Sequence, residues 1–70
     1  MEWVKIIYVE ARSVFIDDQA SGPTNQKLSV GEGTHDFGLG EPNDYYPSTQ
    51  RIVVTGTTEE FPMEIGFEKW

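Results

Sequence analysis

Phe61-Pro62-Met63-Glu64-Ile65-Gly66-Phe67-Glu68 decides the fold class of this chain. Phe61, Met63, Ile65 and Phe67 fall on one side of an extended backbone, and Glu64 and Glu68 on the other. A period of two is the mark of a half-buried strand, because successive side chains point to opposite faces of a sheet. Pro62 has no N–H to give a ladder, so this strand is expected to start at an edge or a bulge. Upstream, Thr49 to Thr55 centres on Ile52-Val53-Val54. Thr34 to Leu39 alternates again, with His35, Phe37 and Leu39 opposite Thr34, Asp36 and Gly38. Gln26 to Val30 places Leu28 and Val30 together. Arg12 to Asp17 is apolar on both faces at Val14, Phe15 and Ile16, which predicts a central strand. Trp3 to Val9 is β-branched and aromatic, as strands favour.

The intervening segments hold the turn formers. Asp17 to Asn25 contains Asp, Ser, Gly, Pro and Asn; Gly31-Glu32-Gly33 reads as a turn; Gly40 to Ser48 and Gly56 to Glu60 read as loops. No window spaces its apolar residues at i, i+3 and i+4 between helix caps. The expectation is an all-β fold in one domain spanning residues 1–70. Its form would be a small antiparallel β-sandwich of about six to seven strands, Greek-key or prealbumin-like. An open sheet with one bare face is the alternative, but it leaves too little apolar surface buried to offset chain ordering.

Composition narrows the function classes. The 70 residues carry 5 Lys+Arg against 12 Asp+Glu, a net charge of -7, with 37% hydrophobic residues and no cysteine. So acidic a chain argues against nucleic-acid binding, where cations must neutralise phosphates, and against adsorption to anionic lipid. Without cysteine there is no disulfide, thiolate metal site or thiol nucleophile. Glu2, Lys5 and Glu10 interrupt the apolar start, so neither a secretory signal nor a membrane span is read there. The expected location is cytoplasmic if the chain is complete, and extracellular or periplasmic if it is a module of a longer exported protein.

No motif brings catalytic chemistry. His35 is the one histidine, and its face partners are Phe37 and Leu39, with no acid at strand spacing to orient it. It is read as a packed or rim residue. No serine sits on a nucleophile elbow. Asp17, Asp18, Glu32, Asp36, Glu41 and Asp44 lie near turns, but no EF-hand loop is present. They are read as solvated acids. Gly31-Glu32-Gly33 resembles the start of a dinucleotide fingerprint, but Asp36 stands at the third glycine and no βα unit surrounds it. The expectation is therefore no catalytic residue, no metal and no cofactor. The candidate contact residues are Asp44, Tyr45 and Tyr46 in the aromatic loop, with Trp3 and Trp70 near the ends. Aromatics beside Asn and Asp can stack on sugars or anchor a partner protein. The competing structural role is that one tyrosine plugs an open end of the sandwich.

Val14-Phe-Ile-Asp17, Gly22-Pro-Thr24, Leu28-Ser-Val30, Gly33-Thr-His35-Asp-Phe37, Tyr46-Pro47, Arg51-Ile-Val-Val54 and Met63-Glu-Ile-Gly-Phe67 follow one another in order. Over about residues 12–68 this series resembles the PEGA domain family and its carboxypeptidase-regulatory, prealbumin-like relatives. Thr24 is followed by Asn25 where that family usually has proline, and the first ten residues add a strand its pattern does not need. The resemblance implies a β-sandwich module appended to larger surface or membrane-linked proteins, with no catalytic residues to transfer. The functional expectation is a non-enzymatic interaction or accessory module with a protein or glycan partner. It would be a monomer, or a weak homodimer through an edge strand. The alternative is a carbohydrate-binding module using the exposed aromatics of the 44–47 loop.

Overall fold

The computed structural model describes residues 1–70. It contains nine strands and no helix: β1 (Glu2–Ile7), β2 (Ser13–Ile16), β3 (Gln19–Pro23), β4 (Lys27–Val30), β5 (Gly33–Gly38), β6 (Tyr45–Tyr46), β7 (Gln50–Val54), β8 (Met63–Gly66) and β9 (Glu68–Lys69). The fold is all-β. One sheet has the order β4-β1-β8, the second β3-β2-β5-β7, and a short ribbon pairs β6 with β9.

The inward residues follow the expected period of two. Val4, Ile6 and Val30 come from the first sheet with Ile65 and the adjoining Phe67. Val14, Ile16, Phe37 and Val54 come from the second, with Leu39 just beyond its edge. Phe37 is fully buried at the centre. Burying the apolar face of each sheet against the other is the dominant favourable term in a chain of this size.

β1 and β8 run parallel, with Val4 opposite Met63 and Ile6 opposite Ile65, so the sandwich is not antiparallel throughout. The chain leaves β7 in the second sheet, crosses over residues 55–62, and enters the first sheet in the direction of β1. β8 lies at the sheet edge, as Pro62 predicts. Phe61, grouped with the inward face by alternation, is 73% exposed and precedes the strand. There its N–H donates to Thr58 Oγ1, and its carbonyl accepts from Thr58 N–H.

β3 stands where the turn formers predicted a loop. Asp17 and Asp18 both adopt positive φ (53° and 67°), and Ile16 pairs with Gln19 across them. Two such residues in succession make the tight hairpin turn whose twist suits paired strands, and aspartate tolerates it. A bulge between Val14 and Phe15 then shifts the register.

The crossing from β3 to β4 is fastened by side chains that act as substitute backbone. The buried Thr24 hydroxyl accepts from Arg12 N–H and donates to Glu10 C=O. Asn25 accepts from Tyr8 N–H through Oδ1 and donates to Tyr8 C=O through Nδ2. Backbone polar groups left unpaired in this partly buried zone would be costly, and these two residues satisfy four of them.

Candidate functional site

The segment after β5 is organised by Arg12, whose side chain is only 12% exposed. Its Nη1 donates to Asp44 Oδ1 at 2.9 Å. Its Nη2 donates to the carbonyls of Pro42 (2.7 Å), Gly40 (3.3 Å) and Leu39 (3.4 Å). The guanidinium also lies 5.8 Å from the Tyr8 ring centroid and 5.5 Å from that of Tyr45. A planar fork meets several acceptors at once in a way a lysine ammonium cannot. The hydrogen bond from Arg12 holds the Asp44 carboxyl below its usual range. Asp44 is thus a fastening of its own loop before it is a contact for anything else.

The fastened loop delivers Tyr45 and Tyr46 to opposite sides. Tyr45 is 8% exposed and belongs to the core, which removes it from the exposed contact surface. Its hydroxyl oxygen accepts Leu39 N–H at 3.0 Å, and its ring meets those of Tyr8 and Phe67 edge to face. Period-two alternation requires one tyrosine in and one out, but only the tertiary packing says which. Tyr46 is 53% exposed and Trp70 83% exposed. β6–β9 pairing sets Tyr46 opposite Glu68, and Trp70 N–H donates to Asp44 C=O at 2.8 Å. The two rings sit 5.8 Å apart, tilted by 47°. Lys69 Nζ pairs with Glu10 beside this ribbon at 2.8 Å.

Trp3 is partly buried on β1, with its N–H donating to Thr57 Oγ1, and it stacks on neither Tyr46 nor Trp70. The structure thus unites Tyr46, Trp70 and Asp44, withdraws Tyr45 into the core and leaves Trp3 apart. β1 lies between β4 and β8, so Trp3 to Val9 offers no free strand edge.

His35 has the acidic partner that its own strand does not supply. Asp17, at the β2–β3 turn, reaches across the β2–β5 pairing and accepts from His35 Nδ1 at 2.6 Å. His35 Nε2 faces the Gly31 carbonyl at 2.7 Å. Both ring nitrogens therefore face acceptors, the arrangement of an imidazolium that donates twice. Asp17, then the Gly31 carbonyl, raise the His35 pKa above its usual 6.5. The Asp36 backbone N–H, then His35, lower the Asp17 pKa below 3.8. The His35 contribution to stability is full below pH 6.5 and is lost as pH rises through the folded value. The Asp17 contribution is present above pH 3.8 and is lost as pH falls through its own depressed value. The pair therefore stabilises most between about pH 4 and 6.5. The melting temperature should fall as pH rises above 6.5, and His35→Gln should flatten that slope. An unchanged slope in the variant would remove His35 as its source.

A half-open hollow of about 310 Å³ lies on the outer side of the second sheet near the end of β5. Phe15 and Tyr45 line it with Asp18, Asp36, Ser48 and Thr49, over Gly38 and Gly40. Gly40 has φ +71°, and a Cβ there would meet Phe15 Cε1 at 2.5 Å. Only glycine lets the ring close on the backbone at that point. Arg51 clasps Asp36 through Nε (2.8 Å) and Nη2 (3.3 Å) and lowers the Asp36 pKa.

No group of three or more His, Cys, Asp or Glu is placed to hold a metal ion. No helix is long and apolar enough to cross a membrane. No family model, curated protein or solved structure matches the chain.

Proposed function

We propose that this chain is a non-enzymatic β-sandwich interaction module that docks a basic protein segment on the exposed Tyr46–Trp70 pair. The observation behind this reading is the exposed aromatic pair, held in place by β6–β9 pairing and by the Trp70–Asp44 backbone bond. Large aromatics on a fixed backbone supply contact area with little further loss of side-chain freedom. Rings tilted by 47° with centroids 5.8 Å apart make an angled aromatic surface rather than a flat platform, which suits a side chain laid against it better than a stacked sugar face. A glycan platform built from exposed aromatics of the 44–47 loop is further weakened by the burial of Tyr45. Glu68, opposite Tyr46 in the ribbon, and the net charge of -7 favour a cationic partner over an acidic one. The engagement of both His35 nitrogens supports a role without catalysis, and the PEGA-like order supports an accessory module.

Selection from a random-peptide display library tests this. The wild-type chain should enrich sequences that combine Lys or Arg with an aromatic or aliphatic anchor. The Tyr46→Ser/Trp70→Ser double variant should bind those peptides about tenfold or more weakly. No enrichment with the wild type, enrichment of acidic sequences, or equal binding by the double variant would overturn the proposal.

A further inference from the structure

The hollow beside β5 has a lining that the Tyr46–Trp70 pair does not share. Tyr45 is more than nine-tenths buried, and its hydroxyl accepts from Leu39 N–H, while no acceptor in the protein takes its proton. That hydroxyl lies 3.5 Å from where a Cβ on Gly38 would stand, so the missing side chain opens the floor beside it. Ser48, Thr49 and Asp18, all exposed, line the same space, and their side chains make no hydrogen bond within the protein. Phe15 supplies an apolar wall.

The chemistry of this set selects among ligand classes. An anion would meet the carboxylates of Asp18 and Asp36. A simple cation would satisfy Asp18 but has no lone pair for the Tyr45 proton. A neutral hydroxyl group both donates and accepts, so adjacent hydroxyls on one ring can give to Asp18 and accept from Tyr45 together. Their C–H flank would rest on Phe15. The volume of about 310 Å³ is at the small end for ligand pockets and suits one ring rather than a chain of them.

We propose that this cavity binds a single neutral polyhydroxylated ring, of the size of one monosaccharide, with Asp18 as acceptor and Tyr45 as donor. This site is separate from the Tyr46–Trp70 pair and stands whether or not that pair binds a peptide. The ring is either a free sugar or the terminal residue of a glycan, and the two sources share the same recognition chemistry.

Amide chemical-shift titration of the whole chain with a panel of free monosaccharides, methyl glycosides and inositol tests the proposal. Butylammonium and inorganic phosphate serve as the charged alternatives. At least one polyol should move the Gly38, Gly40 and Thr49 amides with a Kd on the order of 1–10 mM. Asp18→Asn keeps a residue that tolerates positive φ, and Gly38→Ala adds a methyl that fits at ordinary contact distances, so both variants should fold. Each should weaken binding about tenfold or more. Tyr46→Ser/Trp70→Ser should leave it unchanged. A methyl glycoside that binds better than its free sugar identifies the glycan terminus as the source, and the reverse order identifies the free sugar. No shift with any polyol, shifts confined to the Tyr46 and Trp70 amides, preference for butylammonium or phosphate, or unaltered binding by both cavity variants would overturn the assignment.

Discussion

Phe37→Ala is expected to abolish the cooperative fold at 25 °C. Phe37 is fully buried, lies opposite Ile16 on one flank and Gln50 on the other, and occupies the centre of the core. Removing a buried phenylalanine ring costs about 3–5 kcal/mol, the lost transfer energy plus the cavity left behind. A single core in a chain this short supplies rarely more than about 3–5 kcal/mol of net stability. The substitution therefore consumes nearly all of it, with no disulfide in reserve. Near-ultraviolet circular dichroism and amide dispersion should collapse in Phe37→Ala. Phe37→Leu keeps most of the volume and should cost about 1.5 kcal/mol or less. A cooperative melt for Phe37→Ala within a few degrees of the parent would show that the core collapses around the gap.

Arg12→Ala is the second large effect. The variant loses the carbonyl bonds to Leu39, Gly40 and Pro42, the bond to Asp44 and two aromatic contacts. The carbonyl bonds alone are charge-assisted and justify a loss on the order of 3 kcal/mol in urea unfolding. Asp44 is partly exposed, can hydrate, and adds less than a fully buried partner would. Arg12→Lys separates charge from shape. A lysine can still approach Asp44 but cannot reach three carbonyls as a fork does, so most of the loss should persist. Recovery to near parental stability with lysine would mean that point attraction to Asp44, rather than the fork, fastens the loop.

What the sequence disclosed followed from local periodicity. The six longer runs of alternating or β-branched residues all became strands, because their apolar sides could be buried against the facing sheet. β3 escaped notice because Gln19–Pro23 is mostly exposed and rich in turn formers; it is held by pairing with β2 alone. β6 and β9, two residues each, are too short to show a period. Tyr45 and Tyr46 could be told apart as inward and outward but not assigned, since the assignment depends on packing against Tyr8 and Phe67. Arg12 has no local signature at all. Its partners lie about thirty positions away and include backbone carbonyls, which have no letter in a sequence. Asp17 and His35 are neighbours only because β2 pairs with β5. The hollow lies over Gly38, which has no side chain on that outer face, whereas at Gly40 the Phe15 ring fills the space a side chain would take. The pattern marked Gly38 as outward-facing but could not show that a hollow lay over it.

The parallel pairing of β1 with β8 has a consequence for the growing chain. β1 must wait for β8, far along the chain, before one of its two edges is closed. Until Ile65 and Phe67 arrive, Val4 and Ile6 lack a flank, and β1 has only β4 to hold it. Such distant pairing raises the closure entropy that precedes any reward in contacts, and it slows folding relative to hairpin-by-hairpin assembly. A chain in which β8 has not yet paired is therefore an open, edge-exposed species.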